Sequence, residues 1–579
     1  MSNSMMSNSS NRRTPGIALK RKARALCTAL LFACGALASL SAEAQSPEGP
    51  IVMTSNGPVR GFVSNGVYEF LGIPYAAPPI GRLRWMPPQP AASWNAPLDA
   101  SKFGNTCAQV TELGVFAGPP NTNEDCLYLN VFTTRLASGE GRGAGNAVLV
   151  WIHGGGNVDG ESNDYDGTKL ATGGPMGTPT VVVTINYRLG LFGFLAHPAL
   201  DSEGHLFANY GILDQQAALR WVQRNIAAFG GDPTRVALGG QSAGAQDTGV
   251  NQISPLAAGL FNRAIYESSP LSSLAPHSLG TTRGMAFAAA AGCPGTDGET
   301  AACLRALPAA EILQLEGTPN VTGPYVTGPM VDGTIMPVTP VTAWTTGRFS
   351  HMPIMGGNVQ DEANFGIGIT EYFANPQAPI TAAQYAANVT ATYSGPEYPG
   401  GPNYPAGTVD AVLAQYPAGE NPQATFDRVG THPGACRNRH IDALWTQAGV
   451  PVYEYEFNDQ SAPYYFPRLP GFTPLAAHTI DIQFLFPNWH GGVLGFNHPQ
   501  TLTSEEERLS DELVAAWTNF ASTGNPNRSG NSPWPRYTTE SDGPAFLSED
   551  VPGLSTFTNA QWSVNHNCAF WDGIIVYQP

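Results

Sequence analysis

The apolar residues of this chain change spacing several times, and each spacing predicts an element. Ala147 to His153 (AVLVWIH) and Thr180 to Tyr187 (TVVVTINY) are almost unbroken apolar runs, the pattern of strands covered on both faces. From Asn209 to Phe229 the period changes. Leu213, Ala217, Leu219, Trp221, Val222, Ile226 and Phe229 form one stripe, which predicts an amphipathic helix ended by Gly230-Gly231-Asp232-Pro233. Arg235 to Gly239 predicts a buried strand and is followed by a helix. Further strands are predicted over Phe261 to Glu267, Met352 to Gly357 and Val450 to Phe457, with a late helix over Ser510 to Ala521. Gly57 to Gly61 and Val67 to Leu71 predict an N-terminal hairpin, and a Pro-rich loop follows from Pro74 to Pro90. Thr370 to Ala435 is rich in Pro, Gly, Tyr and Ala and predicts an irregular insertion over the site, not a domain of its own. Strands alternating with helices give the fold class: α/β, with a mostly parallel central sheet, helices on both faces and large loop insertions.

The first residues break this pattern. Arg12, Arg13, Lys20, Arg21, Lys22 and Arg24 precede an apolar stretch from Ala25 to Leu40, and Ala42-Glu43-Ala44 fits a cleavage site. Residues 1–44 are therefore expected to be a signal peptide, with 45–579 as a single α/β domain that is periplasmic or secreted. The apolar stretch, broken by Cys34, Gly35 and serines, is short and weak for a membrane span. Lipidation at Cys34 is the rival to simple export, but Phe32 is bulky for that processing site. Thr-Pro-Gly after Arg12-Arg13 is a poor twin-arginine match. The leader carries six of the 28 basic and one of the 45 acidic residues, which leaves 22 against 44 and a mature charge of −22. Such a surface favours solubility and argues against nucleic acid or anionic membrane as a partner. Six of the eight cysteines remain after cleavage: Cys107, Cys126, Cys293, Cys303, Cys436 and Cys568. In an exported chain an even number indicates disulfides, with 15 connectivities open. No CxxC or HExxH spacing suggests a metal site, and no cofactor is expected.

Gly240-Gln241-Ser242-Ala243-Gly244 sits between the predicted strand and helix. A serine there forms a nucleophile elbow, a turn so tight that side chains at Gly240 and Gly244 would collide with their neighbours. A serine hydroxyl needs a base to take its proton and a carboxylate to orient that base. On α/β sheets of this kind the order is Ser, then Asp or Glu, then His. Glu362 follows the strand at Met352 to Gly357, and His478 lies beyond the strand at Val450 to Phe457. His153-Gly154-Gly155-Gly156 follows another strand and supplies backbone donors. Gly155, Gly156 and Ala243 are expected to form the oxyanion hole, each donor typically worth about 3 kcal/mol of barrier. Each piece alone has an ordinary explanation. The glycines make a tight loop, Glu362 has Asp361 beside it, and His478 competes with His490 and His498. Order and placement together carry the reading.

At this point the chain resembles the type-B carboxylesterase family of α/β-hydrolases, from about Gly57 to Trp571. The likeness rests on Phe70-Leu-Gly-Ile-Pro-Tyr-Ala76, Glu124-Asp-Cys-Leu-Tyr-Leu-Asn130, Asn186-Tyr-Arg188, Asn209-Tyr-Gly211 with Asp214-Gln215, Phe229-Gly-Gly-Asp-Pro233, Trp534-Pro535 and Cys568-Ala-Phe-Trp571. It implies Ser242 as nucleophile, Glu362 as triad acid and His478 as general base, with Asp481 three residues on matching the histidine loop. It also implies the disulfides Cys107–Cys126, Cys293–Cys303 and Cys436–Cys568. Ser268 matches a serine that helps hold the acid, and is equally read as an ordinary strand-end residue. Four positions depart from the family pattern. Ala363 replaces the glycine after the acid. Gln241 stands where a glutamate is common, removing a charge that would favour cationic substrates. Asn157 replaces a common aromatic and makes one pocket wall polar or faces solvent. The Cys107–Cys126 loop has Phe116 as its sole aromatic and lacks the tryptophan with which cholinesterases bind choline, which argues against a cholinesterase.

The expected protein is an exported serine carboxylesterase acting on a small-molecule ester through an acyl-enzyme. The rival readings are a lipase with a lid at Val110, Leu113, Val115 and Phe116, an amidase or lactonase, and a non-catalytic binding module. Tyr464, Tyr465, Phe466 and Phe472 either line the mouth for a bulky or aromatic ester or pack as core.

Overall fold

The computed structural model describes residues 49–110, 120–137, 145–269, 274–316, 328–397, 401–492, 500–528 and 530–575. The expected leader, most of the lid stretch with Phe116, and His498 lie outside these residues.

One sheet of 11 strands organises the fold. In chain order its strands are β1 (Phe62–Ser64), β2 (Val67–Pro74), β3 (Tyr128–Thr133), β4 (Asn146–Ile152), β5 (Thr180–Ile185), β6 (Gly231–Gln241), β7 (Arg263–Glu267), β8 (Ile354–Val359), β9 (Val452–Phe457), β10 (Pro544–Glu549) and β11 (Ser555–Thr558). Across the sheet they run β11-β10-β9-β8-β7-β6-β4-β5-β3-β2-β1. Every pair from β10 to β5 is parallel, and the edges are antiparallel. The apolar runs explain this. In β4, Val148, Val150 and Ile152 face one core while Ala147, Leu149 and Trp151 face the other. β5 divides Val181, Val183 and Ile185 from Val182 in the same way. Period-2 alternation within a continuous apolar run thus feeds both faces.

Helices cover the two faces. Helix α1 (Tyr210–Asn225) and α2 (Ala243–Ile253) pack on one core through Leu219, Trp221, Val222, Val250 and Ile253. The insertion after β8 forms α3 (Asn364–Phe373), α4 (Ala382–Tyr393), α5 (Thr408–Gln415) and α6 (Pro422–Gln447). The late helix α7 (Ser504–Thr523) packs on the other core through Leu509, Leu513, Val514, Trp517 and Phe520.

Two expectations are corrected. The N-terminal segment forms two hairpins, not one. Gly57–Arg60 pairs with Ile51–Thr54, and β1 pairs with β2. They part at Gly61, where a Cβ would lie 2.3 Å from the Glu69 carbonyl oxygen. Thr370 to Ala435 is mostly helical, not irregular. Its prolines and glycines sit largely between helices or at their starts: Thr381 and Gln384 form a capping box for α4, and Asn421 caps α6 with Pro422 in its first turn. Pro is tolerated there because that N–H lacks an intrahelical partner anyway. All three expected disulfides are formed: Cys107–Cys126, Cys293–Cys303 and Cys436–Cys568. Among the described residues no helix is long and apolar enough to cross a membrane.

Strand order creates the functional crevice. After β4 the chain crosses to β5 on one side and later to β6 on the other. Ligand sites form outside the carboxyl ends of strands at such a switch point. Ile152, the last residue of β4, is paired with Gly240 near the end of β6. The triple-glycine loop and Ser242 therefore leave the sheet side by side.

Candidate active site

Ser242 has φ 55° and ψ −122°, a left-handed backbone that costs a non-glycine residue about 1–3 kcal/mol. Its N–H donates to the Glu267 carbonyl at 2.9 Å, and its carbonyl accepts the Gln246 N–H at 3.0 Å. The flanking glycines are sterically required. A Cβ at Gly240 would sit 2.5 Å from the Gly244 carbonyl carbon, and one at Gly244 would sit 2.1 Å from the Ile152 oxygen.

The glycine loop lies against this turn. A Cβ at Gly154 would be 3.2 Å from the Ser242 Cβ. Gly155 and Gly156 have φ 101° and 62°. Val158 and Asp159 N–H groups close the turn onto the Gly155 carbonyl at 3.0 and 3.1 Å. No described residue accepts from the N–H of Gly155, Gly156 or Ala243. His153, inside the loop's base, is buried and stacked on Tyr187. Burial pushes its pKa down to about 4, so it stays neutral.

Glu362 and His478 come from loops after β8 and β9. Asp361 and Ala477 form a parallel bridge between those loops. The Asp361 N–H donates to the Ala476 carbonyl at 3.0 Å, and its carboxylate accepts from the Ala476 N–H at 3.2 Å and from Gln460 at 2.8 Å. Asp361 is thereby occupied in joining the loops. Its neighbour Glu362 faces His478, with Oε2 2.5 Å from Nδ1, while Oε1 accepts the Val359 N–H at 3.1 Å. Ala363 in place of glycine is accommodated opposite Gly430, where a Cβ would fall 2.5 Å from that of Ala363.

The far nitrogen of His478, Nε2, is 3.2 Å from Gln241 Nε2. Because Nδ1 donates to the carboxylate, Nε2 accepts from the amide. Among the described residues no hydrogen bond joins Ser242 Oγ to His478. Gln241 is fully buried, so it contacts the imidazole from beneath and not across an open pocket. Asn157 is also buried, and its Nδ2 donates to Asp247 Oδ1 at 3.3 Å. Ser268 has φ 49°, donates its N–H to the Gly357 carbonyl at 2.8 Å, and leaves Oγ without a partner among the described residues. His490 is engaged elsewhere, its Nε2 2.9 Å from Asp164. The aromatic group packs around the histidine loop. Tyr465 and Phe466 are buried, the Phe365 and His478 rings are 5.5 Å apart, and the Tyr464 hydroxyl donates to the His478 carbonyl at 3.3 Å.

A model of the family described as "Carboxylesterase family" matches residues 48–571. The chain belongs to the carboxylesterase family. Fumonisin B1 esterase of Sphingopyxis macrogoltabida is 33% identical over 543 residues, 90% of each chain. Pyrethroid hydrolase Ces2a of Mus musculus is 34% identical over 87% of this chain and 89% of its own. Para-nitrobenzyl esterase of Bacillus subtilis (strain 168) is 32% identical over 86% of this chain and 95% of its own. The crystal structure of carboxylesterase EST55 of Geobacillus stearothermophilus superposes with a TM-score of 0.71 at 31% identity, covering 90% of this chain and 99% of that one. This carboxylesterase is thus a carboxylic-ester hydrolase with the α/β-hydrolase fold, and its substrates are small-molecule esters.

Sequence patterns missed Glu267 and Glu549 as acids beneath the site of this carboxylesterase, and gave Asp481 only as part of the histidine loop. Glu267, Asp481 and Glu549 are all buried. Burial, followed by mutual repulsion, raises Glu267 and Glu549 well above the usual carboxylate range. Burial and then Glu362 push Asp481 up to about 7. Glu267 Oε1 accepts from Trp517 Nε1 at 2.6 Å, and Asp481 Oδ2 from the Tyr455 hydroxyl at 3.3 Å. Glu267 and Glu549 each end a largely apolar strand, and in sequence they look the same as ordinary strand ends. A cavity of about 740 Å³ opens beside Asp361, Asp427, Glu456 and His566, but neither Ser242 nor His478 lines it.

Proposed function

We propose that this protein is an exported serine carboxylesterase. The observation that carries this reading is the Glu362–His478 pair at 2.5 Å, set beside a serine held in a left-handed turn. Glu362 keeps the proton on Nδ1 and leaves the Nε2 lone pair as base. Ser242 Oγ takes the place of the Gln241 amide at Nε2, gives up its proton and attacks the ester carbonyl. The N–H groups of Gly155, Gly156 and Ala243 receive the oxyanion. His478 then protonates the departing alcohol, and water cleaves the acyl-enzyme through the same groups. This chemistry uses no metal or organic cofactor. The names of the relatives span fumonisin B1 and pyrethroids, so the shared core leaves acid and alcohol preference to the loops around it. In this reading residues 1–44 are cleaved as a signal peptide and 45–579 form the catalytic domain. Three disulfides suit an oxidising compartment.

The test is hydrolysis of p-nitrophenyl esters of increasing acyl length by the mature protein beside Ser242→Ala. Ser242-dependent turnover favouring short chains in solution is expected, with Ser242→Ala losing at least about 10³-fold in kcat. Long-chain preference that rises at an oil–water interface would replace this reading with a lipase. Turnover that survives in Ser242→Ala would overturn it.

A further inference from the structure

The expected oxyanion donors stand on two separate pieces of chain. Gly155 and Gly156 belong to the loop after β4, whereas Ala243 is the first residue of α2. A hole works only if all its donors aim at one point, and an error of about 1 Å costs on the order of 100-fold in rate. Something must hold loop and helix in register.

A buried polar chain does so. Asn157, directly after Gly156, donates from Nδ2 to Asp247 Oδ1 at 3.3 Å. Asp247 lies on α2, one turn beyond Ala243. Its other oxygen accepts from Gln215 Nε2 at 2.5 Å, and Gln215 stands on α1. Asn251, one turn further along α2, donates from Nδ2 to Gln215 Oε1 at 2.8 Å and to the Asp247 carbonyl at 3.0 Å. Exposure is 1% for Asn157 and 0% for Asp247, Gln215 and Asn251. The Asn157 backbone adds a second anchor, because its carbonyl accepts the Gly190 N–H at 2.7 Å. It also holds φ 63°, a conformation asparagine tolerates better than most residues.

Packing alone does not call for these residue types. A carboxyl at a helix–helix contact is costly to bury, and apolar side chains of the same volume do as well or better for stability. Burial pushes Asp247 up to about 7, against two amide donors that favour its ionised form. An acceptor with two oxygens can, however, hold a donor from the loop and a donor from α1 at once, on the helix that carries Ser242.

We infer that Asp247 is a positioning residue for the oxyanion hole, acting through Asn157 to lock the Gly155–Gly156 loop to the nucleophile helix. The inference rests on the serine-esterase reading above. It assigns a role to Asn157 that is neither a polar pocket wall nor a solvent contact.

The experiment compares wild type, Asp247→Ala, Asn157→Gly (which keeps the positive φ accessible) and the double variant, with Ser242→Ala alongside. Steady-state hydrolysis of a p-nitrophenyl ester and inhibition by a trifluoromethyl ketone, which forms a tetrahedral adduct, are measured on each. Expected is a fall in kcat of about 10- to 100-fold with KM within about threefold of wild type, and a matching loss of ketone affinity. The double variant should be no worse than the poorer single one, because both cut the same link. Wild-type kcat and ketone affinity in folded Asn157→Gly, or losses that add in the double variant, would overturn the inference. Should Asp247→Ala fail to fold, Asn157→Gly alone carries the test. Full turnover by Ser242→Ala would instead remove the esterase reading itself.

Discussion

Gln241 shows how much one side-chain atom decides at this site. Its amide N–H meets, at 3.2 Å, the imidazole nitrogen that the proposed mechanism assigns to the Ser242 proton. An amide there carries no charge to act on the ring. A carboxylate would favour the charged ring. Gln241→Glu is therefore expected to move the acidic limb of the pH–rate profile for kcat/KM upward by roughly 1 unit. A limb that stays in place would show that residue 241 does not reach the reacting imidazole. At this scale sequence was an uneven guide. It marked Ser242 and His478 by order and motif, and family likeness chose Glu362 over its neighbour Asp361 without giving a physical reason. The structure supplies that reason: Asp361 bridges to Ala477, 116 positions away, while Glu362 meets His478. Sequence also missed Asp247, Glu267 and Glu549, because burial of a single charged residue leaves no periodic trace.

Among the elements, the strand–turn–helix from β6 through Ser242 into α2 has the least freedom. The carbonyl of Ile152, at the end of the neighbouring strand, occupies the space a side chain at Gly244 would need. Gly244→Ala must push β4 and α2 apart, because a backbone oxygen in a parallel ladder cannot turn aside. We expect it to destabilise the fold by about 1–3 kcal/mol and to lower kcat/KM by about 100-fold through misalignment of Ser242 with the glycine loop. Gly366→Ala, where an added Cβ meets nothing within 4 Å, is the control and should leave melting temperature and turnover close to wild type. Equal behaviour of the two variants would refute the steric account. Strands were legible at this scale because apolar runs of this kind fit only a sheet covered on both faces. The helices of the insertion were not. Pro and Gly content records where helices start and stop, and it was mistaken for the conformation of the residues between them.

For the whole molecule, the buried acids govern how stability depends on pH. Burial pushes Asp427 and Asp442 up to about 8 and Asp481 up to about 7. Raised pKa values mean that the folded state keeps protons the unfolded chain has already lost, so stability falls as pH rises through the interval between the two values. The interval here runs from about 4 to about 8. His153 and His432 oppose this, since burial lowers them to about 4 and about 3 and stability lost through them grows as pH falls below 6.5. His197 and His440 are lowered by burial as well, but with Glu267, Glu454 and Glu549 also raised the acids still outnumber these histidines, so melting temperature is expected to decrease between pH 5 and pH 8. A scanning-calorimetry series that rises over that range would show that the buried acids are ionised in the folded state. Local features were legible from the residues alone: which runs become strands, where the glycine-bounded serine turns, which residue types in which order can run ester chemistry, and, from family likeness, which cysteines pair and which acid serves. Only the folded chain decides what occupies Asp361 while Glu362 meets the histidine, which amide meets its other nitrogen, and which buried carboxyl ties the glycine loop to the serine helix. The reason is physical. Strand pattern and turn sterics are set within a few residues, whereas a hydrogen bond between loops depends on where a parallel sheet brings its strand ends, and that follows from the crossover order of the whole chain.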